Sequence, residues 1–450
     1  MVLKDLLHRK EGLFMANKPF KVVKPICGGL DIHKNKIQAT VQITDLQSSE
    51  VSQYTKVFGT LNNELAEMCK WLIHNGCRDV AMESTGKYWI PVANILEDYL
   101  ISFKLVHPKY VKAVAAHKTD KIDASFIASL NACDMCGPGS VVFPKLQRFI
   151  RYLGRRYWKL GNLITAEKNR YQNCMTTANI GIGHVFSDPF GKSAQAVMDE
   201  LLNNEVVSDE RILKLVHKNC RNKDKILDAV HGSKMTDDDK FLINDISCHI
   251  NELHDHRESV LSAIVRHLAE KIDVVIRLTQ IKGIQIISAL LIICEIGLDM
   301  SFWDNARQFT SWCGVTPRNN ESAGKKKSTR ITSAGLYLKP LLVQCALAAV
   351  KDKNGYFGIK YRRIRKRRGH KKAIIAICRM MLICIYHMIR DDSDFCPSDY
   401  EELMNPKPKK PKAYTIEGAI KLLSENGYSV TSPPVSTHDQ RNVTKPPAAA

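Results

Sequence analysis

The first third of the chain alternates between short apolar runs of period two and segments with helical spacing. Residues 22–45 contain two alternating apolar runs on either side of the polar stretch His33–Lys36, a pattern typical of a β-hairpin. Beyond it the pattern predicts helix, strand, helix, strand and helix over residues 64–76, 79–84, 88–100, 102–108 and 118–133. A hairpin followed by alternating strands and helices predicts an α/β domain on a mixed sheet, with the element order of a ribonuclease-H-like fold.

Helical periodicity dominates the rest of the chain. Residues 146–275 are polar and helix-prone, with a long amphipathic helix predicted over 243–278, so this part is interpreted as a helical spacer or assembly element with coiled-coil character. Residues 277–395 predict a second compact unit of strongly apolar helices, and beyond it Pro, Lys and Ser increase as in a mostly disordered tail. The expected divisions are 1–25 (N-terminal extension), 26–145 (α/β domain), 146–275 (helical spacer), 276–395 (mainly α-helical domain) and 396–450 (tail).

Positive charge is concentrated in one part of the chain. The sequence has 66 Lys and Arg against 46 Asp and Glu, a formal net charge of +20. Between Arg318 and Lys372 there are 17 Lys and Arg and only two acids, so this segment supplies most of the excess. A focused patch of this kind is typical of a nucleic-acid-binding surface, whereas a single charged run in isolation is more often a solvated face.

Apolar length and cysteine spacing exclude other classes of protein. On its pattern no apolar stretch reaches the roughly 18–20 residues of a membrane span, and no secretory signal is apparent, so we expect a cytoplasmic protein without a membrane partner. The 14 cysteines show no framework spacing. Cys133 and Cys136 lack a second pair of metal-binding residues nearby, so we do not expect a zinc site.

Four acids in the α/β domain are candidate metal ligands. Asp31 lies in the first predicted strand, Glu83 ends a short strand, and Asp120 and Asp123 share one face of a predicted helix. In a ribonuclease-H-like sheet these elements converge at one edge, where carboxylates could hold two Mg²⁺ ions about 4 Å apart. The alternative is that they are ordinary surface acids. Three neighbouring histidines, His33, His107 and His117, are expected to take core or phosphate-contacting positions rather than to bind metal.

Residues 315–335 form a hydroxyl-rich and cation-rich stretch between apolar helices. It could be a solvated linker, or a loop that holds a phosphate against a serine. Ser322 is followed by Ala323 and Gly324, which would let a phosphate approach the backbone closely. Ser328 and Ser333 are the competing serines, and Thr332 or Ser333 is expected to be the N-cap of the following helix.

Several of these segments together resemble a known family. The stretches GLDIHKNKIQATV, AMESTGKYWIPVANILED and VHPKYVKAVAAHKTDKIDASFIASL, together with residues 278–350, look like the DEDD transposases of the insertion-sequence one-ten family, which includes the Piv-like pilin-segment invertases. The resemblance covers roughly residues 26–135 and 277–392, in the family order. It implies a RuvC-like nuclease domain followed by a C-terminal transposase domain that carries a serine nucleophile.

The resemblance also implies roles for particular residues. The family's acidic motif falls on Asp31, Glu83, Asp120 and Asp123, and its serine falls on Ser322. It implies a recombinase for a mobile element that uses Mg²⁺ and a phosphoserine intermediate, acts on donor and target DNA under the guidance of a bridge RNA, and works as a dimeric or tetrameric homo-oligomer. The residues expected to contact nucleic acid are Lys282, Arg318, Lys325, Lys326, Lys327, Arg330, Arg362, Arg363, Arg365, Lys366, Arg367, Arg368, Lys371 and Lys372.

One departure from the family concerns a turn. Family members commonly have a Pro-Gly-Ile-Gly turn whose backbone amides can meet DNA phosphate, whereas this chain has Lys282-Gly283-Ile284-Gln285. Lys282 would then approach phosphate as a point charge.

Two other functions stay open at this point. One is a RuvC-like junction nuclease that uses metal-activated water, in which Ser322 plays no part. The other is a non-catalytic nucleic-acid-binding scaffold. A covalent protein–DNA adduct would separate the recombinase from both.

Overall fold

The computed structural model describes most of the chain, and the residues it describes are 21–83, 86–107, 124–137, 139–204, 207–220, 222–231, 235–317, 320–322, 325–328, 330–405 and 415–429. The chain divides into two compact units, Met1–Cys396 and Pro397–Ala450. The sheet and every helix from Asn62 to Arg390 belong to the first unit.

A mixed sheet forms the N-terminal part, and its five strands, counted among the described residues, have the order β3-β2-β1-β4-β5. The strands are β1 (Ile26–Ile32), β2 (Ile37–Thr44), β3 (Val51–Phe58), β4 (Asp79–Glu83) and β5 (Ser102–Val106). The first three pair antiparallel, while β1 pairs parallel with β4, and β4 parallel with β5. This topology confirms the predicted α/β, RuvC-like class.

Strand β3 was not predicted from the sequence. Its exposed apolar residues Val51, Tyr54 and Val57 are three apart rather than two, and seven of its eight residues are exposed. An edge strand with a solvated surface does not need the alternation that marks a buried one.

Helices cover the two faces of the sheet. The helices of this part are α1 (Asn62–His74), α2 (Trp89–Asp98) and α3 (Ala124–Ala132). Leu30 and Met82 share a buried cluster with the apolar sides of α1 and α2, whereas Ala81 packs with Ile127 and Leu130 of α3 on the other face. Successive residues of a strand point to opposite faces, so each strand contributes to both cores. The described part of the helix predicted over 118–133 is α3, and residues 118–123 lie outside the described residues.

Two long helices dominate the middle of the chain. They are α4 (Lys145–Thr177) and α9 (Asp237–Leu268), and between them come the short helices α5 (Ile182–Val185), α6 (Lys192–Asn203), α7 (Asp209–Leu215) and α8 (Asp224–His231). Tyr171 of α4 packs near Ile243 of α9 at one end, and Phe149 meets His267 at the other, so the two helices run antiparallel. The short helices form a separate core around the far end of this pair.

The long helices differ in their bounds from the predicted ones. The predicted helix over 243–278 begins earlier, at Asp237, where Thr236 and Asp239 form a capping box, and it ends at Leu268. A 3₁₀ turn and α10 (Ile272–Leu278) follow it. Helix α4 was not recognised as one long element. The signal was present in its buried residues, which recur every three or four positions and are Ile150, Leu153, Tyr157, Leu160 and Ile164.

The C-terminal part of the first unit is mainly helical. Its elements are α11 (Ile286–Ile296), α12 (Ala306–Trp312), β6 (Asn320–Ser322), β7 (Lys325–Ser328), α13 (Leu338–Ala349), α14 (Tyr356–Arg368) and α15 (His370–Arg390). The stretch predicted as a loop therefore contains a short β-hairpin.

Helix α15 corrects an expectation about apolar length. By length and composition alone its 21 residues could cross a membrane, so the statement that no apolar stretch reaches that length is wrong for this segment. Half of the apolar window is buried inside the protein, with Ile377 and Leu382 fully covered. A core helix of this kind meets the same criterion as a membrane span, because both need a continuous apolar surface.

The second unit contains two helices among its described residues. They are α16 (Tyr400–Met404) and α17 (Ile416–Glu425), and Thr415 caps α17 by accepting a hydrogen bond from the backbone of Gly418. Both lie in the segment interpreted from composition as a mostly disordered tail.

The first turns of α4 connect the sheet to the C-terminal helices. Arg148 forms an ion pair with Glu97 of α2 at 2.6 Å. Arg151 and Arg155, one turn apart, both bind Glu295 near the end of α11, at 2.8 and 2.6 Å. Helix α4 therefore holds the α/β domain through one arginine and the helical domain through two others.

Glu295 is the buried centre of this connection. Burial alone would raise the pKa of its carboxyl group, but the hydrogen bonds from Arg155 and Arg151 outweigh that effect and leave the pKa below its ordinary value of 4.5. A carboxyl group whose pKa is lowered by folding stabilises the folded state above the unfolded-state pKa, and this contribution is lost as the pH falls through the folded-state pKa.

We therefore expect Glu295→Gln to lower the free energy of unfolding by about 3 kcal/mol at pH 7, because it leaves two partly buried guanidinium groups without a charged partner. The difference from wild type should narrow as the pH falls below the ordinary carboxyl pKa. Urea denaturation at neutral and acidic pH measures both effects. Glu67→Gln is the control. Glu67 pairs with Lys56 on the exposed surface, so its replacement should lower the free energy of unfolding by less than about 1 kcal/mol. An equal decrease in the free energy of unfolding for the two variants would contradict a structural role for Glu295.

Candidate active site

Asp31 and Glu83 lie side by side on neighbouring parallel strands. Leu30 of β1 is in register with Met82 of β4, and the two acids are the next residues along each strand. Adjacent strands are about 4.8 Å apart, so the two carboxylates project from neighbouring backbone positions. Two residues earlier, Gly29 and Ala81 both face α3. Because side chains alternate between faces, Asp31 and Glu83 also lie on the α3 face.

The Asp31 carboxylate is sheltered but accessible. Its side chain is 19% exposed, and Oδ2 lies 3.0 Å from Nε2 of His33, which is itself 52% exposed. His33 is therefore a polar neighbour of the acid and does not take a core position. His107, just after β5, is also exposed, and His117 lies outside the described residues.

Helix α3 begins against the strand that carries Asp31. A Cβ atom on Gly29 would come within 2.2 Å of the Ala124 carbonyl oxygen and 2.4 Å of the Ala128 nitrogen, so only glycine permits this approach. Ala124 is the first residue of α3 and directly follows Asp123 in the sequence. Asp120 and Asp123 themselves lie outside the described residues.

Asp31 and Glu83 fit a hard divalent cation. Carboxylate oxygens are the ligands that Mg²⁺, Mn²⁺ and Ca²⁺ prefer over softer metals. Within the described ranges no three His, Cys, Asp or Glu side chains group closely enough to hold a metal ion. The described part of the chain thus contributes two of the four predicted carboxylates.

Ser322 ends one strand of the β-hairpin. β6 and β7 pair antiparallel, with Ser322 opposite Lys325 and Glu321 opposite Lys326. Only residues 323 and 324 separate the two strands in the sequence, so Ser322 and Lys325 are the pair that closes the hairpin tip. A bridge between Pro317 and Ile331 extends the pairing toward the base.

The base of the hairpin is closed by a tight crossing of the chain. Gly314 and Gly335 have φ angles of +77° and +72°. A Cβ on Gly314 would lie 2.3 Å from the Ala334 carbonyl oxygen, and one on Gly335 would lie 2.1 Å from the Cys313 carbonyl oxygen. The two ends of the hairpin segment are thereby fixed next to each other.

The segment after the hairpin differs from the prediction. Helix α13 begins at Leu338 with Tyr337 at its N-cap and no capping side chain, so neither Thr332 nor Ser333 caps it. The carbonyl group of Thr332 instead accepts a hydrogen bond from Lys339 Nζ at 2.7 Å. The N-cap expectation is wrong because the chain first passes through the crossing at Gly335.

The turn at residues 282–285 does not require a second glycine. Gly283 has a φ of +92°, whereas Gln285 is the N-cap of α11 with an extended backbone at φ −102°, which any residue can adopt. The side chain of Lys282 is exposed.

A continuous exposed cationic surface follows α14 into α15. All eight predicted contact residues of this segment are exposed: Arg362, Arg363, Arg365, Lys366, Arg367, Arg368, Lys371 and Lys372. Within the described part of the chain none of them forms a salt bridge with a carboxylate; Arg362 donates to the Lys353 carbonyl oxygen. Gly369, at φ +78°, ends α14 and lets α15 start at once. Arg330 is also exposed, and Arg318 lies outside the described residues.

The residues that hold these parts in place were not predicted from the sequence. Arg148, Arg151 and Arg155 recur every three or four residues on α4, and this spacing on one helix face was the available signal. Their partner Glu295, an isolated acid in the apolar run of α11, is the kind of residue that must be paired when buried.

Two family models match the sequence. Residues 28–180 match the DEDD transposase model of IS110, described as "Transposase". Residues 276–385 match the model described as "Transposase IS116/IS110/IS902 family". No curated protein matches the chain. The two matches together span more than half of the sequence and include Asp31, Glu83, Ser322 and the cationic surface of α14 and α15.

We expect Gly29→Ala to displace α3 and to lower the free energy of unfolding by about 1–3 kcal/mol or more, because the new methyl group would overlap backbone atoms. Thermal unfolding and limited proteolysis measure this. Gly161→Ala is the matched control, since its Cβ would meet nothing closer than 3.6 Å in the middle of α4, and it should be neutral or slightly stabilising. A Gly29→Ala protein as stable as wild type would rule out the close contact between β1 and α3.

Proposed function

The chain belongs to the IS110 family of transposases, and on this premise we propose that it exchanges DNA strands for a mobile element through carboxylate-bound Mg²⁺, a serine nucleophile and a guide RNA. The family establishes a DNA transposase and implies a divalent-metal requirement. The nucleophile, the identity and number of the ions, and the RNA are the parts that we propose.

The adjacent placement of Asp31 and Glu83 supports this function most directly. Two carboxylates at the same level of neighbouring parallel strands, on the face covered by α3, are the arrangement that we expect for half of a DEDD site. We propose that Asp120 and Asp123, which precede α3 in the sequence, complete it. Two Mg²⁺ ions held by the four acids would polarise the scissile phosphate. His33, bonded to Asp31, would orient that carboxylate.

We propose that Ser322 is the nucleophile. Its oxygen forms a bond to the DNA phosphorus, the bond from phosphorus to one deoxyribose oxygen breaks, and the serine proton ends on that leaving oxygen. A hydroxyl group of the other DNA strand then attacks the phosphoserine, forms the new phosphodiester and returns the proton to Ser322. Each step exchanges one phosphate ester for another, so no hydrolysis or external energy source is needed.

The hairpin suits this role. At its tip the backbone of Ser322 pairs with that of Lys325, and Lys326 and Lys327 follow in β7, so we propose that these lysines accompany a phosphate bound at Ser322. Positive groups at that position would neutralise the charge that develops on the transferred phosphate.

The exposed surface of α14 and α15 would bind nucleic-acid backbone. Eight cations without carboxylate partners among the described residues supply the sequence-independent part of such binding. We assign to this surface donor and target DNA together with the bridge RNA. Because recombination joins several DNA ends, the active form would be a dimer or a tetramer in the bacterial cytoplasm, associated with the nucleoid when bound to DNA.

The two alternatives predict different products. A junction nuclease would leave hydrolysed ends without a protein adduct, and a scaffold would leave DNA intact. The presence of Asp31 and Glu83 in adjacent positions favours catalysis over a scaffold.

Asp31→Asn should reduce strand cleavage by about 100-fold or more, because it removes charge from the metal-binding edge without changing side-chain size. RNA and DNA binding should stay within about twofold of wild type, since the cationic surface lies on other elements. Cleavage of labelled DNA with Mg²⁺ present and binding by gel shift measure the two effects. Glu50→Gln, an exposed acid after β2, is the control. Full cleavage by Asp31→Asn would refute the metal-site assignment.

Ser322→Ala should bind nucleic acid normally and form no covalent DNA adduct, while Ser322→Cys should keep part of the attack because a thiolate is a strong nucleophile. The assay is a denaturing gel of protein with nicked, labelled recombination-site DNA, before and after protease. Ser328→Ala and Ser333→Ala are the controls, and both should keep the adduct. An adduct with Ser322→Ala would place the nucleophile elsewhere, and the lack of an adduct in wild type would favour the nuclease alternative.

A further inference from the structure

The outer face of α4 carries a stripe of aromatic and cationic side chains. The stripe consists of Lys145, Phe149, Tyr152, Arg156 and Lys159, spaced alternately by four and three residues. At about 100° per residue they fall within a single narrow face of the helix. All five are exposed, with Phe149 at 48% and Tyr152 at 62%.

Core packing does not explain this stripe. The rest of the α4 circumference makes the ion pairs to Glu97 and Glu295 and buries Ile150 and Leu153, whereas the stripe takes part in neither. Two large aromatic rings in succession on a solvated helix face indicate an interaction surface, because they expose apolar area that does not contribute to packing of the core. His267 of α9 meets the Phe149 ring edge to face at 5.4 Å, which restricts the ring from one side.

The charges of the stripe have one sign. No acid occupies any of its five positions. Among the described residues, Arg156 and Lys159 form no salt bridge, and Lys145 lies 3.6 Å from the exposed Asp98, a weak pairing. The stripe therefore presents two rings between cations at both ends.

We infer that this stripe binds a single-stranded stretch of nucleic acid, with unpaired bases stacked on Phe149 and Tyr152 and phosphates beside Lys145, Arg156 and Lys159. Proteins that bind single strands combine these two elements, aromatic platforms for bases and a cationic track for the backbone. The inference rests on the proposed function in taking nucleic acid as the partner, and it assigns to α4 a role separate from that of α14.

Two other occupants fit the stripe less well. Bases in a duplex are already stacked on each other, so a duplex would use the cations and leave the rings without partners. A second copy of the chain in two-fold contact would set the same three cations against themselves, and like charges in contact repel. A strand with free bases satisfies both the rings and the charges.

The test uses the full-length chain and two probes, a fluorescein-labelled oligouridine RNA of about 12 nucleotides and a labelled DNA duplex of similar length. Fluorescence anisotropy should show that the double variant Phe149→Ala, Tyr152→Ala binds oligouridine about 100-fold more weakly, at about tenfold for each lost base–ring stack. Its affinity for the duplex should stay within about twofold of wild type. A single-stranded DNA of the same length tests whether the surface distinguishes RNA from DNA.

Three controls identify the chemistry. Phe149→Tyr with Tyr152→Phe keeps both rings and should bind like wild type, and Phe241→Ala removes a ring that is 75% exposed on α9 and should change nothing. Arg156→Gln with Lys159→Gln should reduce the slope of log affinity against log salt for oligouridine by about 1.4. Replacing Arg365, Arg367 and Arg368 by Gln should weaken binding of both probes, because both carry the phosphates that these cations would contact. The surface of α14 has no exposed stacking rings of this kind that would make the loss specific to a single strand.

Oligouridine affinity within about twofold of wild type in the double alanine variant would overturn the inference. So would a fall in oligomer mass by mass photometry without a loss of oligouridine affinity, which would make the stripe a contact between copies. The proposed function is judged separately, by the covalent adduct on DNA. A protein that forms no adduct yet binds oligouridine through the two rings would refute the proposed function alone.

Discussion

The structure depends on the paired arginines that bind Glu295. A carboxylate buried in the apolar interior must be compensated, and Arg151 and Arg155 do so from successive turns of α4. Gln147, one turn earlier on α4, donates a hydrogen bond to the Cys294 carbonyl oxygen at 2.9 Å, and Cys294 lies next to Glu295 on α11. These contacts fix both the position and the rotation of α4 against α11, because the donors must face one point.

The same helix turn orders an aromatic cluster beside the hairpin. The Arg151 guanidinium lies over the rings of Phe143 and Trp312, each at 5.2 Å. Trp312 is the last residue of α12, and the crossing at Gly314 follows directly. The base of the β6–β7 hairpin is therefore attached to α4. The same helix also binds α2, which packs on the sheet of β1 to β5. In this IS110-family transposase, helix α4 therefore supports both the sheet that carries Asp31 and Glu83 and the base of the hairpin that carries Ser322.

The sequence predicted those parts whose physical cause is local. Strands β1, β2, β4 and β5 have buried faces, so their apolar patterns were readable, and Asp31 was conspicuous as an acid in such a strand. Strand β3 escaped because an exposed edge does not have to alternate. Helix α4 escaped because Phe149 and Tyr152 on its outer face dilute the contrast with the buried side. Capping of α13 was mispredicted because the close approach at Gly335 is a tertiary contact that no local pattern shows.

The length of the α4–α9 pair sets a scale for the molecule. A helix of 33 residues is about 50 Å long, which is about one and a half turns of B-form DNA. The cluster of α5 to α8 is carried at one end of this span and the Glu295 contacts at the other. The pair thus fixes the separation of these two groups of contacts. Arg151 and Tyr171 are 20 residues apart on α4, which is about 30 Å and close to one turn of B-form DNA.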